Sequence, residues 1–399
     1  MRRLLFFVLP AFLLAAAAAS AAPEKRSWAQ PQIQRVVAAG LMAPSVKAFR
    51  PDDPLTQGEL AEIVSGLNER FAPPPAPEPA PEPAPVPDID SIPNPYGPDE
   101  QPTDTDPPAW PVDVPPAYDD PAPTPAWPVL QWKATAPAKS VSLTDFDRVL
   151  VRALGLAGAA NEIRVALAQA GLKPPSRAGT ETVARLLGLR LNHPAGEDAL
   201  ELLPTQPISR AEAAYSVDRA LSYDVRTHDW IDQLVAESFQ LPAFSDWQRR
   251  ILRTAVSYVG YPYVWGGTSP GPESPFGVQA AGGFDCSGFV WRVYKLTSYP
   301  GSGPLASVLH GRTTYDMSGE VGRAKRIYET RNLKPGDVLF FGKGRDSKPA
   351  EVDHTGIYLG AGWMVHSSGN GTTIVPFDGW YARSFAWARR PLREAGLSR

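Results

Sequence analysis

The sequence contains a single cysteine, Cys286, among 399 residues. One cysteine excludes any disulfide within the chain, so the thiol is either a reactive group, an intermolecular partner or an inert buried side chain. The chain also lacks a surplus of positive charge, since its formal net charge is −3. We therefore expect no nucleic-acid partner, because proteins that bind nucleic acid usually carry a basic patch.

Long apolar runs are equally scarce, and the only one lies at the N-terminus. Two arginines precede an apolar run from Leu4 to Ala19, and small residues follow it. This pattern predicts a secretory signal peptide over residues 1–21. The run is shorter than the ~20 residues that a membrane-spanning helix needs, which disfavours the alternative of an uncleaved anchor. We expect a secreted protein with no transmembrane anchor after the signal is removed.

Proline is distributed unevenly along the chain. Of the 45 prolines, 23 lie within residues 73–137, where acidic residues also gather and no basic residue precedes Lys133. Such a segment cannot bury enough apolar surface to offset the loss of chain entropy. The composition predicts a disordered, semi-rigid and acidic spacer over residues 73–137. Docking of its tryptophans on a domain is the alternative, and these are Trp110, Trp127 and Trp132.

Helical patterns lie on both sides of this spacer. Over residues 27–72, apolar positions recur at helical spacing until Gly40, and Thr56 is predicted to cap a second helix with Glu59 as its capping-box partner. Similar helix starts return within residues 138–221, near Thr144 and again before residue 210. These recurrences indicate an internal repeat and predict an all-α repeat module.

Two of these helix starts resemble a known repeat. Leu55-Thr56-Gln57-Gly58-Glu59 and Ile208-Ser209-Arg210-Ala211-Glu212 are similar to the S-layer homology repeat, although the first has Gln57-Gly58 where that family has Arg-Ala. The resemblance implies helical repeats that assemble in threes, with the spacer inserted between repeats. It also implies binding of a cell-wall polymer through Thr56, Glu59, Arg210 and Glu212. A generic helical scaffold is the alternative.

The residues that carry chemistry lie within 247–393, after a connector over residues 222–246. Cys286 opens a predicted helix, and a helix N-terminus is expected to lower the pKa of a thiol placed there. Gly282, Gly283 and Gly288 are expected to let a substrate approach the backbone. The N–H groups of that backbone are natural donors to an oxyanion.

Two of the five histidines lie on predicted neighbouring strands. His354 and His366 are 12 residues apart, on either side of a predicted turn at residues 361–362. Antiparallel pairing would bring them alongside one another, so one histidine takes the thiol proton while the other holds its ring. A zinc site that includes Asp353 is the alternative, but the usual His-Glu-x-x-His spacing is absent.

Five motifs in this region resemble those of the NlpC-type cell-wall cysteine peptidases of bacteria. The resemblance implies a papain-like α+β fold, with helices packed on an antiparallel sheet, and neither metal nor other cofactor. The motifs are Tyr263-Val264-Trp265-Gly266-Gly267, Phe284-Asp285-Cys286-Ser287-Gly288-Phe289-Val290, Leu333-Lys334-Pro335-Gly336-Asp337-Val338, Asp353-His354-Thr355-Gly356-Ile357-Tyr358 and Val365-His366.

The resemblance also implies an activity and a role for each site residue. The expected reaction is hydrolysis of peptide bonds in peptidoglycan stem peptides, typically the D-γ-glutamyl to diamino-acid bond. Cys286 is then the nucleophile, His354 the general base and His366 the polar third member. Tyr263, Asp285 and Ser287 are expected to support the substrate or the oxyanion. The alternatives are an N-acetylmuramoyl-L-alanine amidase and an inactive wall-binding protein.

Overall fold

The computed structural model of this multidomain chain describes residues 26–71, 130–223, 225–273 and 280–397. The predicted signal peptide and most of the predicted spacer lie outside these residues. An all-α module precedes an α+β domain. Within the described part of the chain, no helix is both long and apolar enough to cross a membrane.

The all-α module is built from short amphipathic helices. Buried aliphatic side chains on one face of each helix form a shared core, which includes Ile33, Ile63 and Leu150. The predicted connector contains a helix of its own, whose Ile231 and Val235 are also buried. The helices are α1 (Gln30–Ala38), α2 (Gln57–Phe71), α3 (Leu143–Ala153), α4 (Ala157–Gln169), α5 (Ala178–Leu186), α6 (Arg210–Leu221) and α7 (Val225–Ser238).

Three loops of the module close a ring of backbone hydrogen bonds. The N–H of Leu55 donates to the carbonyl of Ile208 at 2.8 Å, and the N–H of Ile208 donates to Val141 at 2.9 Å. The N–H of Val141 donates back to Leu55 at 2.9 Å. Since each member both donates and accepts once, the three loops occupy equivalent positions. The internal repeat is therefore an assembly of three.

A capped helix follows each loop of this ring. The hydroxyl of Thr56 accepts a hydrogen bond from the N–H of Glu59, whose carboxylate accepts from the N–H of Thr56 at 2.9 Å. This confirms the predicted capping box. Ser209 caps α6 as predicted, whereas α3 is capped by Ser142 rather than by Thr144. A side-chain oxygen at each start satisfies an otherwise unpaired N–H of the first turn.

The last residues of the predicted spacer, 130–137, are described by the structure and pack against α2. Asn68 exchanges two hydrogen bonds of 3.0 Å with the backbone of Leu130. Gln57 accepts from the N–H of Ala136 at 3.0 Å. Trp132 packs, partly buried, against the module core. Residues 130–137 are thus docked on the module, while Trp110 and Trp127 lie outside the described residues.

The departure of the first repeat from its family pattern has a physical reason at this contact. Gly58 donates its N–H to the carbonyl of Pro137 at 2.9 Å, and an added Cβ would lie 3.3 Å from that oxygen. Gln57 supplies the acceptor described above. Gln57-Gly58 therefore makes room for the returning chain, where a larger pair would crowd it.

The α+β domain contains a short strand pair, β1 (Thr268–Ser269) and β2 (Gly283–Phe284), and a five-stranded antiparallel sheet. The strands of the sheet are β3 (Val338–Phe341), β4 (His354–Gly360), β5 (Trp363–Ser368), β6 (Gly371–Pro376) and β7 (Phe385–Arg389). They lie in the order β6-β5-β4-β3-β7. Its helices are α8 (Asp246–Ser257), α9 (Cys286–Trp291), α10 (Thr314–Gly319), α11 (Gly379–Ser384) and α12 (Pro391–Glu394). The predicted α+β class, with helices on an antiparallel sheet, is confirmed.

The module and the domain are joined by hydrogen bonds from arginine side chains of the module. Arg177 donates to the carbonyls of Ser257 and Val259, each at 2.7 Å, and Arg185 donates to Gly260 at 3.0 Å. Guanidinium groups suit this role because their several donors are held in a rigid plane. The module therefore lies directly against the end of α8.

Candidate active site

Cys286 is the first residue of α9, as the sequence predicts, and it is 8% exposed. Asp285 caps this helix. Its carboxylate accepts from the N–H of Gly288 and from the hydroxyl of Ser287 at 2.9 Å. The short motif around the cysteine is therefore a capped helix start, which fixes where the thiol lies.

The two predicted histidines meet on the sheet. His354 opens β4 and His366 lies on β5, and these strands pair in antiparallel fashion. His354 Nε2 lies 2.8 Å from His366 Nδ1. A Cβ added to Gly356 would lie 3.1 Å from His366 Cβ, so the absence of a side chain there leaves room for this histidine. The predicted pairing of the two rings is present.

Tyr381 extends the histidine pair. Its hydroxyl on α11 lies 3.4 Å from His366 Nε2, and the two rings meet edge to face with centroids 5.2 Å apart. Sequence reasoning missed this residue because it follows His366 by 15 positions, beyond β6 and within a short helix. No periodic spacing connects the two.

The thiol of Cys286 lies against the start of β4. Burial, followed by the nearby charge of Asp285, raises the pKa of Cys286 to about 12 and outweighs the backbone hydrogen bonds from Thr355 and Ser287, which lower it. The expectation of a lowered thiol pKa at this helix start is therefore wrong for the resting site. Removal from water opposes the thiolate more than the helix end favours it.

The histidines are also held in their neutral forms. Burial lowers the pKa of His354 to about 4. Burial, followed by the proximity of His354, lowers the pKa of His366 well below its ordinary value. At neutral pH the resting site therefore contains a thiol and two uncharged imidazoles.

The glycines near Cys286 admit the protein's own backbone. A Cβ on Gly288 would overlap the carbonyl oxygen of Gly267, and a Cβ on Gly283 would lie 2.8 Å from the carbonyl oxygen of Pro262. The expectation that Gly282, Gly283 and Gly288 make room for a substrate is corrected accordingly. Gly283 and Gly288 allow the loop over residues 262–267 to pack closely against the start of α9, and a Cβ on Gly282 would lie 2.5 Å from the carbonyl oxygen of Pro270.

Arg312 is a second residue that sequence reasoning missed. Its guanidinium donates to the Asp285 carboxylate at 3.1 and 3.2 Å, to the Ser287 hydroxyl at 2.6 Å and to the Gly266 carbonyl at 2.9 Å. It thus links both residues that flank Cys286 to the loop over residues 262–267. No motif surrounds Arg312 in the sequence, so only the fold reveals it.

Tyr263 lies beside the same cluster. It bridges to Phe284, two residues before the cysteine. Burial, followed by the nearby Cys286, Asp285 and Asp198, raises the pKa of Tyr263 above its ordinary range. Its hydroxyl is therefore protonated at neutral pH and available as a hydrogen-bond donor.

The predicted polymer-binding residues lie within the repeat module. Arg210 is 2% exposed, and its guanidinium donates to the carbonyls of Phe49 and Met42 and to the carboxylate of Glu59. Glu59 also completes the cap at Thr56. Glu212 is buried and lies 3.2 Å from a nitrogen of His193. These contacts tie the repeats to one another, and polymer binding by these residues stays a prediction.

The described residues contain no group of three or more His, Cys, Asp or Glu side chains arranged to hold a metal ion. Comparison with known families gives two matches. Residues 260–390 match the NlpC/P60 family, and residues 23–61 match the S-layer homology domain.

Individual relatives match part of the chain. The gamma-D-glutamyl-L-lysine dipeptidyl-peptidase of Bacillus cereus is 31% identical over 145 residues, which are 36% of each chain. The murein DD-endopeptidase MepH of Escherichia coli is 33% identical over 139 residues, which cover 34% of this chain and 42% of that protein. The chain thus spans less than half the length of these relatives.

Among solved structures, the peptidoglycan hydrolase RipB of Mycobacterium tuberculosis is 28% identical. The match covers 36% of this chain and 64% of that chain, with a TM-score of 0.28. The family matches agree with the motifs, the antiparallel sheet and the ring of repeats described above. The chain joins an N-terminal S-layer homology domain to a C-terminal NlpC/P60 domain of papain-like α+β fold.

Proposed function

We propose that this chain is a secreted, wall-associated cysteine peptidase that cleaves stem peptides of peptidoglycan. The observation that carries the proposal is the 2.8 Å contact between His354 and His366, formed beside the helix that begins at the only cysteine. Relatives that share this domain are named as peptidases of such peptides, which supports the substrate class.

The contacts of the two histidines suggest a route for the proton. A neutral imidazole has one donor and one acceptor nitrogen. If His366 Nε2–H donates to the Tyr381 oxygen, then His366 Nδ1 accepts from His354 Nε2–H. His354 Nδ1 is left with a free lone pair. We assign this nitrogen as the general base, with His366 and Tyr381 as its positioning residues.

In the first half of the reaction, the Cys286 sulfur attacks the carbonyl carbon and its proton passes to His354 Nδ1. The C–N bond then breaks, and the leaving amine takes the proton from His354. A thioester is left on Cys286. The raised pKa of the thiol and the lowered pKa of the imidazole both oppose transfer of the proton. Because thiolate and imidazolium form together, each charge stabilises the other, and this attraction offsets that opposition.

In the second half, water attacks the thioester and gives a proton to His354. The C–S bond breaks, and the thiolate recovers its proton. We assign the oxyanion of both tetrahedral intermediates to the backbone N–H groups at the start of α9 and to the Tyr263 hydroxyl. Asp285 and Ser287, both bonded to Arg312, hold that helix start, and we place them beside the bound substrate.

The bond that we propose is the one between D-γ-glutamate and the diamino acid. The name of the Bacillus cereus relative describes this linkage, although that of the Escherichia coli relative describes a different one. Digestion of purified peptidoglycan by the full chain, read by mass spectrometry, decides the point. New diamino-acid N-termini support the proposal, whereas lactoyl groups freed of peptide identify an amidase.

The nucleophile is tested by replacing Cys286 with alanine in the full chain. We expect release of muropeptides to fall by at least about a thousandfold, because loss of a catalytic nucleophile costs several orders of magnitude. Circular dichroism should be unchanged. Residual activity above ~1% of wild type would contradict the assignment of Cys286 as nucleophile.

The wall-anchoring part of the proposal is tested with the same inactive variant, because it cannot digest its ligand. We expect the Cys286→Ala chain to co-sediment with purified walls. Addition of Arg210→Ala should weaken binding more than addition of Gln57→Ala, since Arg210 links three segments of the module. A chain that stays in the supernatant would refute wall anchoring.

A further inference from the structure

A segment of the repeat module reaches the loop beside Cys286. Asn192 Oδ1 accepts a hydrogen bond from the N–H of Tyr263 at 3.0 Å. Asp198 Oδ2 accepts from the N–H of Trp265 at 3.1 Å. Both acceptors come from residues 192–198, which precede α6. The module therefore holds the backbone of one loop at two residues, Tyr263 and Trp265.

That loop in turn fixes the start of α9. The N–H of Val264 donates to the carbonyl of Phe284 at 3.2 Å, and the N–H of Asp285 donates to the carbonyl of Gly267 at 3.1 Å. These bonds hold the backbone immediately before Cys286. Since Gly288 leaves no space for a side chain against Gly267, a shift of the loop is transmitted to the helix rather than absorbed.

The segment that carries both acceptors is itself anchored. The N–H of His193 donates to the Glu201 carboxylate at 2.6 Å, and the His193 ring lies 3.3 Å from Glu201 and 3.2 Å from Glu212. The ring of Trp28 packs against it edge to face, with centroids 4.7 Å apart. A buried charged cluster thus holds the segment to α6.

In the described part of the chain, the carboxylate of Asp198 is buried with only one of its two oxygens hydrogen-bonded, which is unfavourable for a residue with a purely structural role. Asp198 is 1% exposed, and its Oδ1 has no hydrogen-bond partner among the described residues. A buried carboxylate with an unpaired oxygen destabilises the fold. The hydrogen bond that this carboxylate accepts comes from Trp265, next to Gly266, whose carbonyl accepts from Arg312.

We propose that Asn192 and Asp198 are positioning residues of the active site, so that the repeat module completes the catalytic centre. The inference rests on the proposed function. The route runs from these two acceptors, through Tyr263 and Trp265, to the backbone before Cys286. A module that only tethers the enzyme would leave turnover of a soluble substrate unchanged.

The test uses the full chain and a soluble muropeptide, which removes any effect of wall binding. Asn192→Leu and Asp198→Leu abolish the acceptors, whereas Asn192→Asp and Asp198→Asn keep an oxygen in place. Arg253→Met is the matched control, because it removes a 3.0 Å bond between the domains, to Gly171, away from the loop.

We expect each leucine variant to lower kcat by about tenfold with little change in KM, since small misplacements of a catalytic group are costly. The variants that keep an oxygen should recover most of the rate, and Arg253→Met should match wild type. Equal kcat in wild type and both leucine variants would overturn the inference. So would an equal loss in Arg253→Met.

The rate of Cys286 alkylation by iodoacetamide provides a second readout that needs no turnover. If wild type fails to cleave the muropeptide, the proposed function is wrong. The alkylation rates then decide the positioning role alone, and equal rates in all variants would overturn it. If a leucine variant does not fold, Asn192→Ala or Asp198→Ala replaces it in both measurements.

Discussion

The repeat module and the peptidase domain each bury histidine, but with opposite results. Burial alone would lower the pKa of His193, yet hydrogen bonds and charges from Glu201 and Glu212 raise it to about 10. In the peptidase domain, burial lowers the pKa of His354 to about 4, and no carboxylate opposes it. Burial by itself keeps His354 neutral, whereas the carboxylate neighbours of His193 outweigh burial and keep it charged.

This difference matches what each region has to do. A charged histidine between two carboxylates connects segments firmly, but it has no free nitrogen for chemistry. A neutral histidine among aromatic rings can accept a proton, at the expense of a weaker hold on its surroundings. In the module, the buried charge of His193 connects segments of the chain. In the domain, the neutral form of buried His354 fits the proton transfer that we propose for it.

The largest expected effect is on turnover, and it separates the two active-site histidines. His354→Gln should lower hydrolysis by about a thousandfold, because the general base is lost. His366→Asn should keep a measurable fraction of activity, since an amide oxygen can accept from His354 Nε2. His366→Ala should fall between them. Muropeptide release by each purified variant measures this.

A companion measurement is the rate of Cys286 alkylation between pH 5 and 9. We expect the wild-type rate to rise throughout this range, because the pKa of the thiol is about 12. At pH 6 to 7, Cys286 of the His354→Gln variant should be alkylated more slowly than Cys286 of wild type. If His366→Asn is as inactive as His354→Gln, and both change alkylation equally, the assignment of His366 as a positioning residue is wrong.

The next effect concerns stability and the module. His193→Leu leaves Glu201 and Glu212 buried without their partner, which should lower the free energy of unfolding by about 3 kcal/mol. His366→Leu leaves only the neutral N–H of His354 without its acceptor, which should lower the free energy of unfolding by about 1 kcal/mol. Chemical denaturation of both variants gives the two values. Equal losses would remove the distinction between charged and neutral histidines.

The pH dependence of stability should separate the regions further. The pKa of His193, about 10 in the fold, lies above the ~6.5 of an unfolded chain. Its contribution is therefore complete below pH ~6.5 and lost as the pH rises through 10. The pKa of His354 is about 4, so its contribution is complete above pH ~6.5 and lost as the pH falls through 4.

Calorimetry of wild type, His193→Gln and His354→Gln between pH 4 and 10 measures these contributions. The Tm difference between wild type and His193→Gln should shrink towards pH 10. The difference between wild type and His354→Gln should shrink towards pH 4. If both Tm differences changed with pH in the same direction, His193 and His354 could not have opposite protonation states at neutral pH.

The smallest expected effect is that of Tyr381→Phe. The 3.4 Å contact with His366 is long, so its loss should lower kcat by about threefold, as expected for one weak hydrogen bond. Combined with His366→Ala, the tyrosine replacement should have no further effect, because the two act through one contact. Additive losses in the double variant would place Tyr381 in another role.

The sequence was informative wherever function depends on local pattern. The helix start at Cys286, the strands carrying His354 and His366, and the capping box at Thr56 were all predicted from short spacings. Local pattern cannot show how much water a site excludes, which is why the thiol pKa was predicted in the wrong direction. The thiol of Cys286 lies against Thr355 of β4, which is distant in sequence.

Residues that act across the fold were equally invisible. Arg312, Tyr381, Asn192 and Asp198 stand in no motif, and each meets its partner only after strands and helices have packed. The residues predicted to bind polymer show the opposite problem, because the motif is visible in the sequence but the direction of its side chains is not. Arg210 belongs to a recognisable signature, yet its guanidinium is directed into the module. A motif identifies the repeat without revealing which way its side chains point.

The two hydrogen bonds between Asn68 and Leu130 have a topological consequence. Asn68 and Leu130 flank residues 72–129, so the chain leaves the module and returns to it at the same place. The length of the segment between them therefore does not set the distance between the module and the peptidase domain. A protease cut within that segment would break the chain but leave both fragments interlocked through the ring at Leu55, Val141 and Ile208. The chain is thus expected to survive nicking there as a two-chain complex, and we expect insertions in that segment to leave the module assembled.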